Sequence, residues 1–110
     1  MNGGLLPYYV LDERGEPEPC EDVITWGLWF ETAERHVAQD MDEGAGADRV
    51  RVSTVFLGLD HSFREGPPIL WETMVFGGPL DGEMMRYTSR AEAFDGHQEM
   101  CRRVREALGR

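Results

Sequence analysis

The segment between residues 58 and 68 carries the most varied chemistry of the chain. Asp60, His61 and Ser62 follow one another there, and Glu72 comes shortly after. An aspartate can orient a histidine as a general base, and Glu72 would add a second carboxylate for acid–base catalysis. The alternative is structural: adjacent side chains of an extended segment point apart, so Asp60 and His61 would cap backbone groups of an ordered loop. We favour the structural interpretation and keep Asp60, His61 and Glu72 as the candidate catalytic set.

Glu72 is unusual for its position in a predicted strand. The rest of its side of that strand is apolar and consists of Leu70, Met74 and Phe76. Burial of an unpaired carboxylate is costly, so a charged or imidazole partner is required. We expect that partner among Arg51, Arg86 and His61, and we favour a structural ion pair over a catalytic acid.

His97 and Cys101 are the candidate metal ligands. Their i, i+4 spacing would let both reach one ion from the same face of a helix, and His36 and Cys20 could complete a tetrahedral set. Both residues also fall on the apolar seam of that helix, where cysteine behaves as a small hydrophobic residue. We therefore expect no metal and no cofactor. The two cysteines form no C-x-x-C motif, and reduced thiols are expected.

Common enzyme and nucleotide-binding motifs are missing from the sequence. Residues 40–51 begin like a calcium loop but lack the glycine at its sixth position and the glutamate at its twelfth. A P-loop is excluded because the chain contains no lysine, and no G-x-G-x-x-G, G-x-S-x-G or H-E-x-x-H segment occurs. The sequence favours a non-enzymatic protein over an enzyme.

Charge is distributed very unevenly along the 110 residues, whose formal net charge is −10. Residues 1–48 contain 12 acidic residues and two arginines, whereas residues 49–110 contain nine of each. Such a surface attracts basic proteins and repels nucleic acid and anionic lipid. The candidate partner-binding residues are Asp12, Glu13, Glu16, Glu18, Glu21 and Asp22. Solubility alone is the competing explanation.

Hydrophobic periodicity predicts two helices and several strands. A helix is expected to begin with Asp22 or Thr25 as its N-cap and to run for about four turns, because apolar residues recur at steps of three and four. Its stripe is Trp26, Trp29, Phe30, Ala33 and Val37. A capping box predicts a second helix from Ser89, with an inward seam of Phe94, His97, Cys101, Val104 and Leu108. Strands are expected at residues 8–11, 49–57, 69–76 and 84–88, and a loop at residues 41–48.

This order of elements, β-α-β-β-β-α, predicts an α+β fold. We expect an antiparallel sheet of three to four strands with both helices packed on one face, in a single domain over residues 1–110. Whether the N-terminal strand joins the main sheet stays open. The strand at 49–57 becomes apolar on both sides, so Val55, Leu57 and Leu59 would form a natural self-association surface. The N-terminal residues lack the features of a secretory signal and no charge-free run is long enough for a membrane span, so a cytoplasmic location is expected.

The segments VSTVFLGLDH at residues 52–61 and GPPILWETMVFGG at residues 66–78 carry a family resemblance, together with Thr25-Trp26-Gly27 and Arg35-His36-Val37. In these segments the chain resembles small uncharacterised proteins encoded by bacteriophages and prophages. The resemblance spans roughly residues 8–104 and implies a phage context, without a known activity, cofactor or catalytic residue.

Three functional classes follow from these observations. The first is an accessory protein that binds a host or phage protein, for instance as an inhibitor of host machinery or defence. The second is a virion or assembly component that forms a homo-oligomer. The third is a small enzyme or ligand-binding domain that uses Asp60, His61 and Glu72.

Overall fold

The computed structural model describes residues 8–62 and 66–110. Along the chain the elements are β1 (Tyr9–Leu11), β2 (Pro17–Pro19), α1 (Val23–Thr32), β3 (Met41–Glu43), β4 (Val50–Phe56), β5 (Trp71–Phe76), β6 (Met84–Tyr87) and α2 (Arg90–Ala107). The predicted α+β class is confirmed, with two helices and antiparallel sheets of two and four strands.

The four-stranded sheet has the order β3-β4-β5-β6, and every neighbouring pair is antiparallel. Burial alternates strictly along β4, where Val50, Val52, Thr54 and Phe56 are buried. Trp71, Thr73 and Val75 of β5 are buried on the same face because they pair with Phe56, Thr54 and Val52. The period-two pattern of the sequence therefore predicted both central strands and, for β4, the side chains that share a face. The buried face of β5 carries Trp71, Thr73 and Val75 and not the apolar side on which Glu72 lies.

The sequence predicted a loop over residues 41–48, but the first three residues of this segment form the edge strand β3. Met41 is buried in the core opposite Val52, which holds the strand against β4. The chain then turns at Gly44, whose φ of +81° is readily adopted only by glycine. Pairing along β4 outweighs the weak strand propensity of an acidic, three-residue segment.

Helix α2 packs across β4, β5 and β6. As predicted, it begins after Ser89, whose side chain accepts a hydrogen bond from the Glu92 amide. Its buried residues are Ala93, His97, Met100, Cys101 and Val104. The predicted seam was wrong at Phe94, which is 48% exposed, because the helix turns Ala93 toward the sheet instead.

Helix α1 is shorter than predicted. Asp22 is the N-cap, but the helix ends at Thr32, and the following residues run extended beside β4. The Val37 amide donates to the Thr54 carbonyl, and the Phe56 amide donates to the Arg35 carbonyl. These sheet-like bonds end the helix although its apolar periodicity continues to Val37.

The N-terminal strand forms a separate hairpin, in which β1 pairs only with β2 among the described residues. Tyr8 makes an isolated bridge to Leu59, just beyond β4. The Trp26 indole nitrogen donates to the carbonyls of Tyr9 and Gly58, at 3.0 and 3.1 Å. The hairpin and α1 are thus attached to one end of the main sheet.

Candidate functional site

The hairpin and the start of α1 display the predicted partner-binding residues together. We call them the N-terminal acidic surface: Asp12, Glu13, Glu16, Glu18, Glu21 and Asp22. All six are exposed. Within the described ranges, none of these six carboxylates has the nitrogen of a basic side chain within 4.0 Å. The ion pairs of the described structure all involve other residues.

Asp12 shapes the hairpin turn that carries these acids. Its Oδ1 accepts hydrogen bonds from the amides of Glu16 and Arg14, at 2.9 and 2.8 Å. The same turn places Gly15 at a φ of +80°. The amide of Glu16, and then that of Arg14, lower the pKa of Asp12. Asp12 is therefore both a turn residue and a fixed negative charge.

Asp22 has the corresponding role at the start of α1. Its Oδ1 accepts from the Ile24 amide at 3.0 Å, and its Oδ2 accepts from the Thr25 hydroxyl at 2.7 Å. The Thr25 hydroxyl and then the Ile24 amide lower the pKa of Asp22. Glu13, Glu16, Glu18 and Glu21 make no side-chain hydrogen bond within the part of the chain that is described, so their carboxylates face solvent without a structural task.

Several carboxylates in the rest of the molecule form ion pairs with arginines. Five arginines there bind carboxylates at 2.6–3.0 Å. The pairs are Arg49–Asp42, Arg86–Glu72, Arg102 with Glu99 and Glu106, Arg103–Glu83 and Arg110–Glu43. The excess negative charge of the sequence is thus concentrated on the hairpin and the start of α1.

The loop that carries Asp60 and His61 uses both side chains locally. Asp60 Oδ1 accepts from the amides of Ser62 and Ile69, at 2.8 and 2.9 Å, and the second bond crosses the loop. His61 Nδ1 lies 2.9 Å from the Leu59 carbonyl. No hydrogen bond joins Asp60 to His61 in residues 8–62 and 66–110. Phe63, Arg64 and Glu65 of this loop lie outside the described residues.

Glu72 is paired as expected, and Arg86 is its partner. Arg86 Nε donates to Glu72 Oε2 at 3.0 Å across the β5–β6 pair. Glu72 lies on the sheet face opposite α2, because its neighbours Trp71 and Thr73 point into the core. Each member of the Asp60, His61 and Glu72 set therefore has a structural partner, and none bonds to another member in the described structure.

His97 and Cys101 are both buried on α2, but the four predicted metal ligands do not assemble. His97 Nδ1 lies 2.7 Å from the Thr54 hydroxyl, and Nε2 lies 3.1 Å from the Gln39 carbonyl. Both ring nitrogens are therefore occupied. The pKa of the Cys101 thiol is raised by burial, which keeps it protonated. The described ranges contain no group of three potential ligands placed to hold a metal ion.

His97 instead ends a buried chain of hydrogen bonds that sequence analysis did not find. The Gln39 carbonyl can only accept, so Nε2 of His97 donates and Nδ1 of the neutral ring accepts. The Thr54 hydroxyl then donates to Nδ1, Thr73 donates to Thr54 at 2.6 Å, and Tyr87 donates to Thr73 at 2.9 Å. Burial lowers the pKa of His97 and raises the pKa of Tyr87, so both side chains are neutral near pH 7. The chain satisfies the polar atoms of the core and leaves none of them for catalysis.

An open cleft of about 440 Å³ lies between the hairpin turn, the end of α1 and the start of α2. Trp29, Phe56 and Trp71 supply its apolar part. Its charged lining residues are Asp12, Glu13, Glu34, Arg14, Arg35 and Arg90. The three acidic residues and the three arginines carry equal and opposite formal charge.

The outward side of α1 is a second surface that the sequence analysis missed. Ile24, Leu28 and Val23 are 71%, 65% and 49% exposed, and no residue of this helix is buried. The signal was present in the sequence, because Ile24 and Leu28 are large apolar residues that lie outside the Trp26–Trp29–Phe30 stripe.

Comparison with known proteins found no match: no family model, no curated protein and no solved structure matches this chain. In the part of the chain that is described, no helix combines the length and apolar character needed to cross a membrane.

Proposed function

We propose that this chain is a small non-enzymatic accessory protein of a phage or prophage that binds a basic surface of a host or phage protein in the bacterial cytoplasm. Its contact surface is the N-terminal acidic surface. Inhibition of host machinery or a host defence system is the role that this binding would serve.

One observation carries the proposal. The six carboxylates of the N-terminal acidic surface are exposed and make no ion pair in the described structure, whereas seven other carboxylates lie within 4.0 Å of an arginine. Unscreened charges of one sign steer a partner of opposite sign and speed its association. The same charge repels phosphate backbones and anionic lipid, so we propose neither nucleic acid nor membrane as the direct partner.

The phage context of the proposal is supported by the resemblance in residues 52–61 and 66–78. Those segments build β4, β5 and the loop between them, so the resemblance covers the scaffold. The acidic hairpin lies outside these two segments.

The test is a pull-down from host lysate with three baits, quantified by mass spectrometry at increasing NaCl concentration. The baits are the wild-type chain, the variant E13Q/E16Q/E18Q/E21Q, and the control D42N/E83Q/E99Q/E106Q. Asp12 and Asp22 are left unchanged because they hold the turn and the helix start. Both variants lose the same formal charge, so the control isolates position from net charge.

We expect at least one protein to be retained by the wild type and the control, released by added salt, and lost from E13Q/E16Q/E18Q/E21Q. Equal retention on all three baits would show that the acidic surface does not carry the binding. Recovery of the bait alone would contradict a host partner.

A second candidate function, a homo-oligomeric assembly component, is favoured by the sheet face opposite α2. Val55 and Met74 on this face are partly exposed, and Phe76 and Met84 are 44% and 43% exposed. Leu57 and Leu59, predicted to extend this surface, are also partly exposed. Helix α2 packs on the other face and α1 contacts β1, so neither described helix covers this face.

Light scattering coupled to size-exclusion chromatography tests this second candidate. An assembly component would elute as a defined oligomer that Phe76→Ser with Met84→Ser converts to monomer. A wild-type protein that stays monomeric at high micromolar concentration would remove this candidate and leave the first one unaffected.

A further inference from the structure

Helix α1 lies at the surface and carries apolar side chains on two sides. Trp26, Trp29 and Phe30 face the hairpin and the end of the sheet. Ile24 and Leu28 are one helical turn apart on the other side and are 71% and 65% exposed. Glu31, the only charged residue of the helix, follows Leu28 by three positions on this side and is exposed. Exposed apolar side chains that cluster and are flanked by polar residues mark interaction surfaces.

Gly27 lies beside this exposed pair. A glycine inside a helix costs roughly 1 kcal/mol relative to alanine. A Cβ at Gly27 would meet no atom of the described residues within 4 Å, so their packing does not require the glycine. Glycine does permit another backbone to approach closely. The helix therefore presents a shallow notch between Val23, Ile24 and Leu28.

The charges around the notch define its occupant. Residues 21–34 contain Glu21, Asp22, Glu31 and Glu34 and no basic residue. A second copy of α1 would place these carboxylates against their own counterparts, and an anionic lipid surface would be repelled as well. A segment that combines apolar side chains with lysine or arginine fits both the apolar pair and the surrounding carboxylates.

We propose that the outward face of α1, centred on Ile24, Gly27 and Leu28, is the docking site for a basic amphipathic helix of the protein partner. This inference rests on the proposed function and names the kind of segment that is bound. The N-terminal acidic surface attracts the segment, and the apolar pair holds it by burying its apolar side. Gly27 lets the two helices approach closely.

The probe is an 18-residue peptide of leucine and lysine with leucines at i, i+3, i+4 and i+7 spacing. It is titrated into the full chain at 150 mM NaCl, and isothermal titration calorimetry measures the affinity. A peptide of the same composition in scrambled order and one with glutamate in place of lysine serve as ligand controls. We expect binding of the first peptide only.

The variant I24S/L28S should weaken this binding by about tenfold or more, as expected when central apolar contacts are lost. Both side chains are mostly exposed, so the fold should be kept, and thermal unfolding checks this. The control M84S/M85S removes two exposed apolar side chains of β6 and should leave the affinity within about twofold of wild type. Gly27→Ala should weaken binding while raising the melting temperature, a combination that damage to the fold cannot produce.

Three outcomes would overturn the inference. Unchanged affinity in I24S/L28S together with loss in E13Q/E16Q/E18Q/E21Q would leave the acidic surface as the binding site and remove the docking face. Absence of peptide binding, or equal binding of the scrambled peptide, would remove the amphipathic helix as occupant. Dimers that I24S/L28S dissociates would assign the face to a second copy. Failure of the proposed function itself is separate, because it is read from the lysate pull-down.

Discussion

The hairpin with α1 and the sheet with α2 differ in how they use polar and apolar groups. In the sheet and α2, arginines bind several surface carboxylates, and Tyr87, Thr73, Thr54 and His97 form one chain of hydrogen bonds in the core. In the hairpin and α1, carboxylates face solvent unpaired within the described structure, and Ile24 and Leu28 remain exposed. The sheet and α2 therefore pair many of their polar groups internally, whereas the hairpin and α1 expose carboxylates and apolar side chains that a partner could contact.

Glycine within each helix offers the sharpest test of this difference. A Cβ on Gly96 of α2 would overlap the hydroxyl and ring of Tyr87, whereas Gly27 of α1 has free space. We expect Gly96→Ala to lower the free energy of unfolding by about 2–3 kcal/mol, because overpacking outweighs the gain in helix propensity. Gly27→Ala should raise it by about 0.5–1 kcal/mol. Urea denaturation measures both, and a change of the same sign in both variants would contradict the comparison.

Threonine offers a second pair of matched sites, with a smaller effect. Thr54→Val keeps the shape of the side chain but leaves His97 Nδ1 without a donor and Thr73 without its acceptor. We expect a loss of about 1–3 kcal/mol in unfolding free energy, the cost of unsatisfied buried groups. Thr25→Val removes only an exposed bond to Asp22 and should cost clearly less. Equal losses of unfolding free energy in the two variants, measured by urea denaturation, would show that the buried hydrogen-bond chain stabilises the fold no more than one exposed hydrogen bond does.

The sequence predicted the sheet and α2 better than the hairpin and α1. Strict alternation identified β4 and its buried face, and the capping box placed the start of α2 at Ser89, because both signals are local. The length of α1 was wrong because Val37 continues the apolar periodicity while its amide bonds to Thr54 in the neighbouring strand. The edge strand β3 was missed for the same reason: pairing with β4 is a tertiary effect.

For the candidate sites, too, local sequence predicted only the features that do not depend on tertiary contacts. The excess of acids before residue 48 was visible in the sequence, and the exposure of Asp12, Glu13, Glu16, Glu18, Glu21 and Asp22 required only that they lie on a hairpin and a helix start. The hydrogen-bond chain could not be predicted, because it depends on the register that places Thr54 opposite Thr73 and on the position of α2 above them.

Stability in mildly acidic solution should depend on His97, which lies in the core between the sheet and α2. Burial lowers the pKa of His97 below the value near 6.5 of an unfolded chain, so the unfolded state binds a proton more readily. The stability that neutral His97 contributes is therefore fully present above that value and is lost as the pH falls from there through the lowered pKa of the folded state. The nearby Asp40 carboxylate opposes this shift without reversing it. Melting temperatures at pH 7.5 and 5.5 should fall more for wild type than for His97→Gln, and parallel curves would contradict the assignment.

The smallest expected effect concerns exposed charges, and here the two regions should respond with opposite signs. Carboxylates of the N-terminal acidic surface repel one another, so E13Q/E16Q/E18Q/E21Q should raise the melting temperature at low ionic strength. Asp42, Glu83, Glu99 and Glu106 are each paired with an arginine, so D42N/E83Q/E99Q/E106Q should lower it slightly. Both differences should fade as salt shortens the screening length from about 10 Å at 0.1 M to about 3 Å at 1 M. A stabilising effect from both variants would mean that overall negative charge, rather than the pairing of individual carboxylates, sets the stability of this protein. The two regions would then differ in the number of acidic residues but not in how those residues affect stability.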